Sequence, residues 1–206
     1  MSYKDVEILK AKKQLAEMDK QVQSEENMEK ENQESIEDGM VHIYGEEVVF
    51  QRRDVSELNI SIIMPKEFET LPEDTKKILY PLGNRPSHIF ASEEVHFTLG
   101  FNHTGNEVPN SRMKEFVPMA KKLMEKLGPK TKIIRTETTT KNERNIGRLE
   151  FVSQAVEAVV YNMMSFISID EKLFIATISF PNKYKKRYVT LGNQIMDSFE
   201  VLEKEE

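Results

Sequence analysis

The 206-residue chain has no cysteine and no tryptophan, only eight glycines and eight prolines, and no uninterrupted apolar run long enough to cross a bilayer. The missing cysteine excludes disulfides, thiolate metal sites, iron-sulfur clusters and a cysteine nucleophile. The longest apolar-rich run, residues 155 to 169, is broken by Glu157, Asn162, Ser165 and Ser168 and falls short of the ~18 to 20 residues of a spanning helix. Basic residues are also in deficit. With 29 Lys and Arg against 35 Asp and Glu, the net charge of −6 is the wrong sign for non-specific nucleic-acid binding. No Gly-x-Ser-x-Gly, Walker loop, Gly-x-Gly-x-x-Gly, His-Glu-x-x-His or calcium loop occurs, which predicts a non-catalytic protein without metal or cofactor. The opening residues carry acids and lysines and lack the apolar core of a secretion signal, so a cytoplasmic location is expected. In that setting the sequons at Asn59 and Asn102 read as chance occurrences.

The negative charge is unevenly placed. Residues 1–39 hold six lysines against eleven acids, a net of −5, which leaves the body from residue 40 at −1. Ile8, Leu15 and Val22 recur every seven residues with Ala11 and Met18 between them, giving one narrow apolar stripe on a helix. Fewer than three heptads are present, and from Ser24 to Gly39 only Met28 and Ile36 are apolar. Two readings follow for this segment: a solvated, partly helical tail, or a partner helix built on Ile8, Leu15, Met18 and Val22, including one used for self-association. The expected division is therefore a charged N-terminal helical tail, 1–39, and a domain, 40–206.

In the body, Val41 to Gly45, Glu46 to Arg52 and Leu58 to Met64 read as strands, the last ended by Pro65. Thr70-Leu-Pro-Glu73 matches a capping box opening a short helix that Tyr80-Pro81 must stop. His88 to Ser92 and Val95 to Phe101 are strand candidates, with a loop expected over Asn102 to Asn106. Met113, Phe116, Val117, Ala120, Leu123, Met124 and Leu127 recur at helical spacing up to the Gly128-Pro129 stop, with Pro118 as an internal conflict. From Lys132 the period becomes two. Four strands, at 133–140, 146–153, 159–169 and 172–180, form an antiparallel meander around the spacers at Asn142 and Asp170. The last two are apolar on both faces, so both faces of the sheet are expected to be covered, and a final helix from Lys183 to about Phe199 supplies cover. The fold class is α+β, an α-β-α sandwich with a central antiparallel sheet.

That order of elements, with Ile60-Ser-Ile-Ile-Met-Pro-Lys-Glu-Phe68, Phe174-Ile-Ala-Thr-Ile-Ser-Phe-Pro181 and Ile195-Met-Asp-Ser-Phe199, resembles the PsbP-like superfamily over roughly residues 41 to 202. The group takes in the extrinsic photosystem II protein, DcrB-like bacterial proteins, Ran-binding Mog proteins and effector-associated chaperones of bacterial secretion systems. The resemblance implies an α-β-α sandwich that binds other proteins. It supplies no active-site residues to carry over.

Few residues point to chemistry. His96 and His103 lie seven apart and project to opposite faces of a straight strand, which disfavours a shared metal. Glu93 and Glu94 diverge in the same way. Lys183-Tyr-Lys-Lys-Arg-Tyr188 places tyrosines on the inner face of the last helix and leaves Lys183, Lys185, Lys186 and Arg187 outward or lateral, as a candidate patch for an anion or acidic partner or as a solvated face. Lys121, Lys122, Lys126, Lys130 and Lys132 form a second basic neighbourhood. Met163 and Met164 with Met113, Met119 and Met124 fit either core packing or an adaptable groove for apolar peptides. The function expected is a protein-binding adaptor or chaperone-like module. Its rival is a small ligand-binding or hydrolytic domain with a polar pocket near His88, His96 and His103.

Overall fold

Two antiparallel sheets and two long helices make up the structure, a computed structural model describing residues 25–79, 85–93, 95–127, 130–155 and 158–202. The candidate partner helix with Ile8, Leu15, Met18 and Val22 lies outside the described residues. Helical residues 25–31 (α1) lead into a 3-10 turn, Ile36–Asp38, closed by Gly39 in the left-handed region. Strands β1 (Met40–Ile43) and β2 (Glu46–Val55) form a hairpin about Tyr44 and Gly45, both at positive φ, as a two-residue primed turn requires. β3 (Ile60–Pro65) pairs with β2, and β3 in turn takes β11 (Glu200–Val201), completing a four-stranded sheet. This second sheet is a departure from the single central sheet expected. A two-residue strand paired across most of the chain, Val201 with Ile60, leaves no periodic signal.

The larger sheet has seven strands in the order β4-β5-β6-β10-β9-β8-β7. They are β4 (Glu69–Thr70), β5 (His88–Ala91), β6 (Thr98–Glu107), β7 (Lys132–Lys141), β8 (Arg144–Gln154), β9 (Val159–Ile169) and β10 (Lys172–Pro181). β7 to β10 are the expected meander, and their tight turns are explained by the backbone: Asn142, Glu143, Asp170 and Glu171 all adopt positive φ. Two local expectations fail. β6 remains a strand through Asn102 to Asn106 but bulges there: His103 pairs with Phe174 and Glu107 with Lys172, so four steps along β6 span two of β10. Thr70 is not a helix cap but part of β4, and α2 (Glu73–Leu79) starts instead with the Pro72 carbonyl accepting from Lys76.

The layers follow from alternation along the strands. On β10, Phe174, Ala176, Ile178 and Phe180 enter the main core with α4 (Lys185–Asp197) and the small sheet; Leu173 joins a second cluster under α3 (Met113–Leu127). α4 packs against β9 and β10 on one side and β3 on the other. Tyr161 stacks on Phe180 at 5.3 Å between centroids, and Tyr188 meets Phe180 edge-on at 5.4 Å, so rings carry much of this interface. On the outer face α3 lies over β7, β8 and β9, continuous through Pro118. At Gly147 of β8 it lies so near that a Cβ there would overlap Cγ2 of Val117. Each face of the large sheet thus carries a helix, as expected, and among the described residues the outer-face helix α3 packs on β7, β8 and β9.

The described part of the front segment is packed against the body. Ile36 is buried, its N–H donates to Gln194 Oε1 at 2.9 Å, and Gln194 Nε2 donates to the Glu34 carbonyl at 2.8 Å. Glu31 to Gly39 therefore fold with α4, several residues ahead of the boundary that composition marks.

Candidate functional site

Among the described residues, an open trough runs along the outer face of the large sheet beside α3. One wall is α3, whose Met113, Val117 and Ala120 are buried against β8 and β9. A neighbouring stripe on the same helix has no such cover. Met119 is 62% and Leu123 54% exposed, and both line a groove of about 560 Å³ with Phe116, Met124, Met164, Phe166, Leu173 and Ile175. Thr104 and Asn106 of β6 form the opposite side, and Lys122 and Lys126 stand at the rim. Met124, Met164 and Ile175 also line an adjoining space of about 460 Å³, which continues past Asn162, Thr177 and Ser179 to Arg85 and Pro86. There the chain crosses the sheet so closely that a Cβ on Gly100 would stand 2.6 Å from Pro86 Cγ. The floor is thus apolar at one end and hydroxyl- and amide-lined at the other, with Ser179 donating to Asn162 Oδ1 at 2.9 Å.

The methionine set divides cleanly. Met113 and Met163 are core residues, whereas Met119, Met124 and Met164 line the trough. The second basic neighbourhood contributes Lys122 and Lys126. Among the described residues neither makes an ion pair, while Lys121 lies 4.0 Å from Glu125.

The first basic patch changes composition. Lys183, Lys185 and Lys186 leave no more than a three-lysine surface, because Arg187 is fully buried, with no accessible surface. This corrects its expected outward position. Its Nε and Nη2 donate to the His42 carbonyl at 3.1 and 2.8 Å, and Glu31 and Glu34 lie 3.8 and 3.7 Å away. Burial lowers the guanidinium pKa, and the two carboxylates oppose that. Each carboxylate also holds the β1–β2 hairpin: Glu31 accepts from the Tyr44 and Gly45 N–H groups, and Glu34 accepts from the His42 N–H at 2.5 Å and meets His42 Nδ1 at 2.7 Å. The assembly is a structural clasp joining the front segment, the hairpin and α4.

The clasp has a pH signature. The Glu34 hydrogen bond raises the His42 pKa above its ordinary 6.5 against a smaller loss from desolvation, with Glu34, Glu47 and Glu31 charges adding to the rise. For Glu34 burial acts upward, but hydrogen bonds from the His42 backbone and ring, and the charges of His42 and Arg187, bring it below 4.5. The His42 contribution is present below pH 6.5 and is lost as pH rises through its raised pKa. The Glu34 contribution is present above pH 4.5 and is lost as pH falls through its lowered pKa. Hydrogen-exchange protection of the Glu31–His42 segment is expected to be greatest between those values and to fall on both sides. His42→Gln should remove the alkaline limb; a limb that persists in that variant would assign it to another group.

The histidines have separate partners. His88 lies 3.5 Å from Glu57, His96 stacks on Tyr184 at 5.0 Å, and His103 meets Phe174 edge-on. Among the described residues no three metal-capable side chains gather. A buried polar group that sequence reasoning missed is Glu150, which accepts from Tyr161 Oη at 2.5 Å and lies 3.5 Å from Arg135. Burial and then Glu150 push the Tyr161 hydroxyl pKa up, so it stays a donor. These groups face the α4 side of the sheet, away from the trough. Among the described residues no helix is long and apolar enough to cross a membrane.

No family model matches the sequence, and comparison with curated proteins gives no match. Solved structures do match. Cyanobacterial PsbP (CyanoP) from Synechocystis is similar at 14% identity and a TM-score of 0.52, over 74% of this chain and 92% of that one. LpqN of Mycobacterium tuberculosis, involved in cell envelope biogenesis, is similar at 10% identity and a TM-score of 0.48, over 76% and 92%. A putative regulator from Pseudomonas aeruginosa is similar at 12% identity and a TM-score of 0.44, over 76% and 99%. At 14% identity what is shared with CyanoP is the fold, and with α3 outside the large sheet and α4 and the small sheet inside it, the chain has the PsbP-like fold that its order of elements resembles.

Proposed function

We propose that the protein is a non-catalytic protein-binding module and that its binding surface is the outer-face trough beside α3. The observation that carries this reading is the second apolar stripe of α3, Met119 and Leu123, left exposed above a floor of Met164, Leu173 and Ile175. Monomeric proteins seldom leave contiguous apolar surface of this kind without a use, and methionines adapt to irregular partners. The fold alone assigns no function.

Met119→Asp with Leu123→Asp tests the proposal. Both side chains are exposed, so stability should change by no more than about 0.5 kcal/mol each. A protein partner recovered stoichiometrically with the wild-type chain from its native cell should be lost with the double variant. Recovery of the same partner by both forms would move the binding surface elsewhere, and repeated recovery of none by the wild type would count against a binding module.

A further inference from the structure

We propose that the occupant of the trough is an acidic amphipathic helix of about three and a half turns, contributed by another protein; this rests on the trough being a protein-binding surface. Three features on the outer face select that chemistry.

The floor is a sheet face, not a sheet edge, so it offers side chains and no free backbone donors or acceptors. A partner segment must satisfy its own backbone hydrogen bonds, and a helix does so where an added strand cannot. The length follows from β10. Leu173, Ile175, Thr177 and Ser179 point outward over six residues, roughly 20 Å of strand, which matches about 13 residues of helix. Laid beside α3, such a helix would extend the outer layer toward β6 and β10.

The sign of the partner's charge comes from the rim. Among the described residues, Lys122 and Lys126 lie one turn apart, exposed and without an ion pair, and no carboxylate lines the groove. That is the reverse of the chain's overall excess of acids. The chain's own residues 1–24 are a poor match, since they carry five lysines and four acids.

The experiment uses the full-length chain with 13C-methyl methionine. Three synthetic 13-residue amphipathic peptides share leucine anchors at i, i+3, i+4 and i+7 and differ only in their flanking residues: Glu, Gln or Lys. The Glu peptide should shift the Met119, Met124 and Met164 methyl signals and leave Met113 and Met163 in place. It should bind about five-fold more tightly than the Gln peptide at low salt, an advantage that 0.5 M salt removes. K122E with K126E should reverse the order of the Glu and Lys peptides. Equal affinities for all three peptides, with the trough methionines shifting, would overturn the acidic partner and leave the binding surface standing. No shift of those methionines by any peptide would overturn both. Shifts of the same signals on dilution of the free protein, or on introducing L15D and V22D, would assign the trough to a second copy or to the chain's own N-terminal segment and overturn the inference.

Discussion

Arg187→Met is expected to destabilise the protein by about 3 to 5 kcal/mol, the range for removing one member of a buried ion pair. The guanidinium is fully buried between Glu31 and Glu34 and caps the His42 carbonyl with two hydrogen bonds. Methionine fills much of the volume but leaves the Glu31 carboxylate, itself only 7% exposed, without its cation. Each carboxylate still accepts backbone N–H groups, so the hairpin is not released at once; the cost falls on burying negative charge. Denaturant unfolding of the variant should show the midpoint lowered at unchanged slope. Adding Glu31→Gln should recover part of the loss, because a neutral amide in the same place costs less to bury than an unpaired carboxylate. Arg187→Lys should remain destabilised, since one ammonium cannot reproduce the two-pronged contact with the His42 carbonyl. A loss below about 0.5 kcal/mol for the methionine variant would mean that the charges balance no better in the native chain than out of it.

The same residue explains what the amino-acid order conveyed and what it concealed. Arg187 sits three residues after Tyr184 and four before Leu191, an inward position by helical spacing. Its charge argued for the surface, and its two acidic partners lie in a segment whose composition reads as a solvated tail. Those are one misreading seen from two ends, because a buried ion pair between distant segments has no local signature. The meander was legible because four strand-length runs follow one another and turn residues at Asn142 and Asp170 mark two of its three hairpins. Asn102-His-Thr-Gly-Asn106 reads as a loop, and its turn preference survives in the structure only as a bulge of β6 against β10 between His103 and Glu107. The trough was half visible: Met119 and Leu123 extend the apolar stripe of α3 beyond one packing face, and only the width of the sheet under the helix separates core from groove.

Gly147→Val is expected to cost about 3 kcal/mol, the upper part of the usual range for overpacking, and to deform the trough as well. Gly147 lies on β8 under α3, where a Cβ would collide with Cγ2 of Val117 and approach Phe166 at 3.4 Å. Val117 is β-branched and fixed on a helix, so it has no alternative rotamer that clears the space cheaply. Relief must come from lifting α3, which would open the cluster of Met113, Val117, Ala120, Leu149 and Phe166. Since α3 is one wall of the trough, the Met119, Met124 and Met164 methyl signals should shift in the variant without any ligand. Gly192→Ala in α4 is the control. Its Cβ would meet Met163 Sδ at 2.5 Å, but a thioether can swing aside, and alanine improves helix propensity by about 1 kcal/mol over glycine. That variant should fall within about 1 kcal/mol of the wild type and leave the trough methionines in place. Equal costs for the two substitutions would mean that α3 yields as easily as a methionine side chain, and that the contact at Gly147 does not set the height of the trough wall.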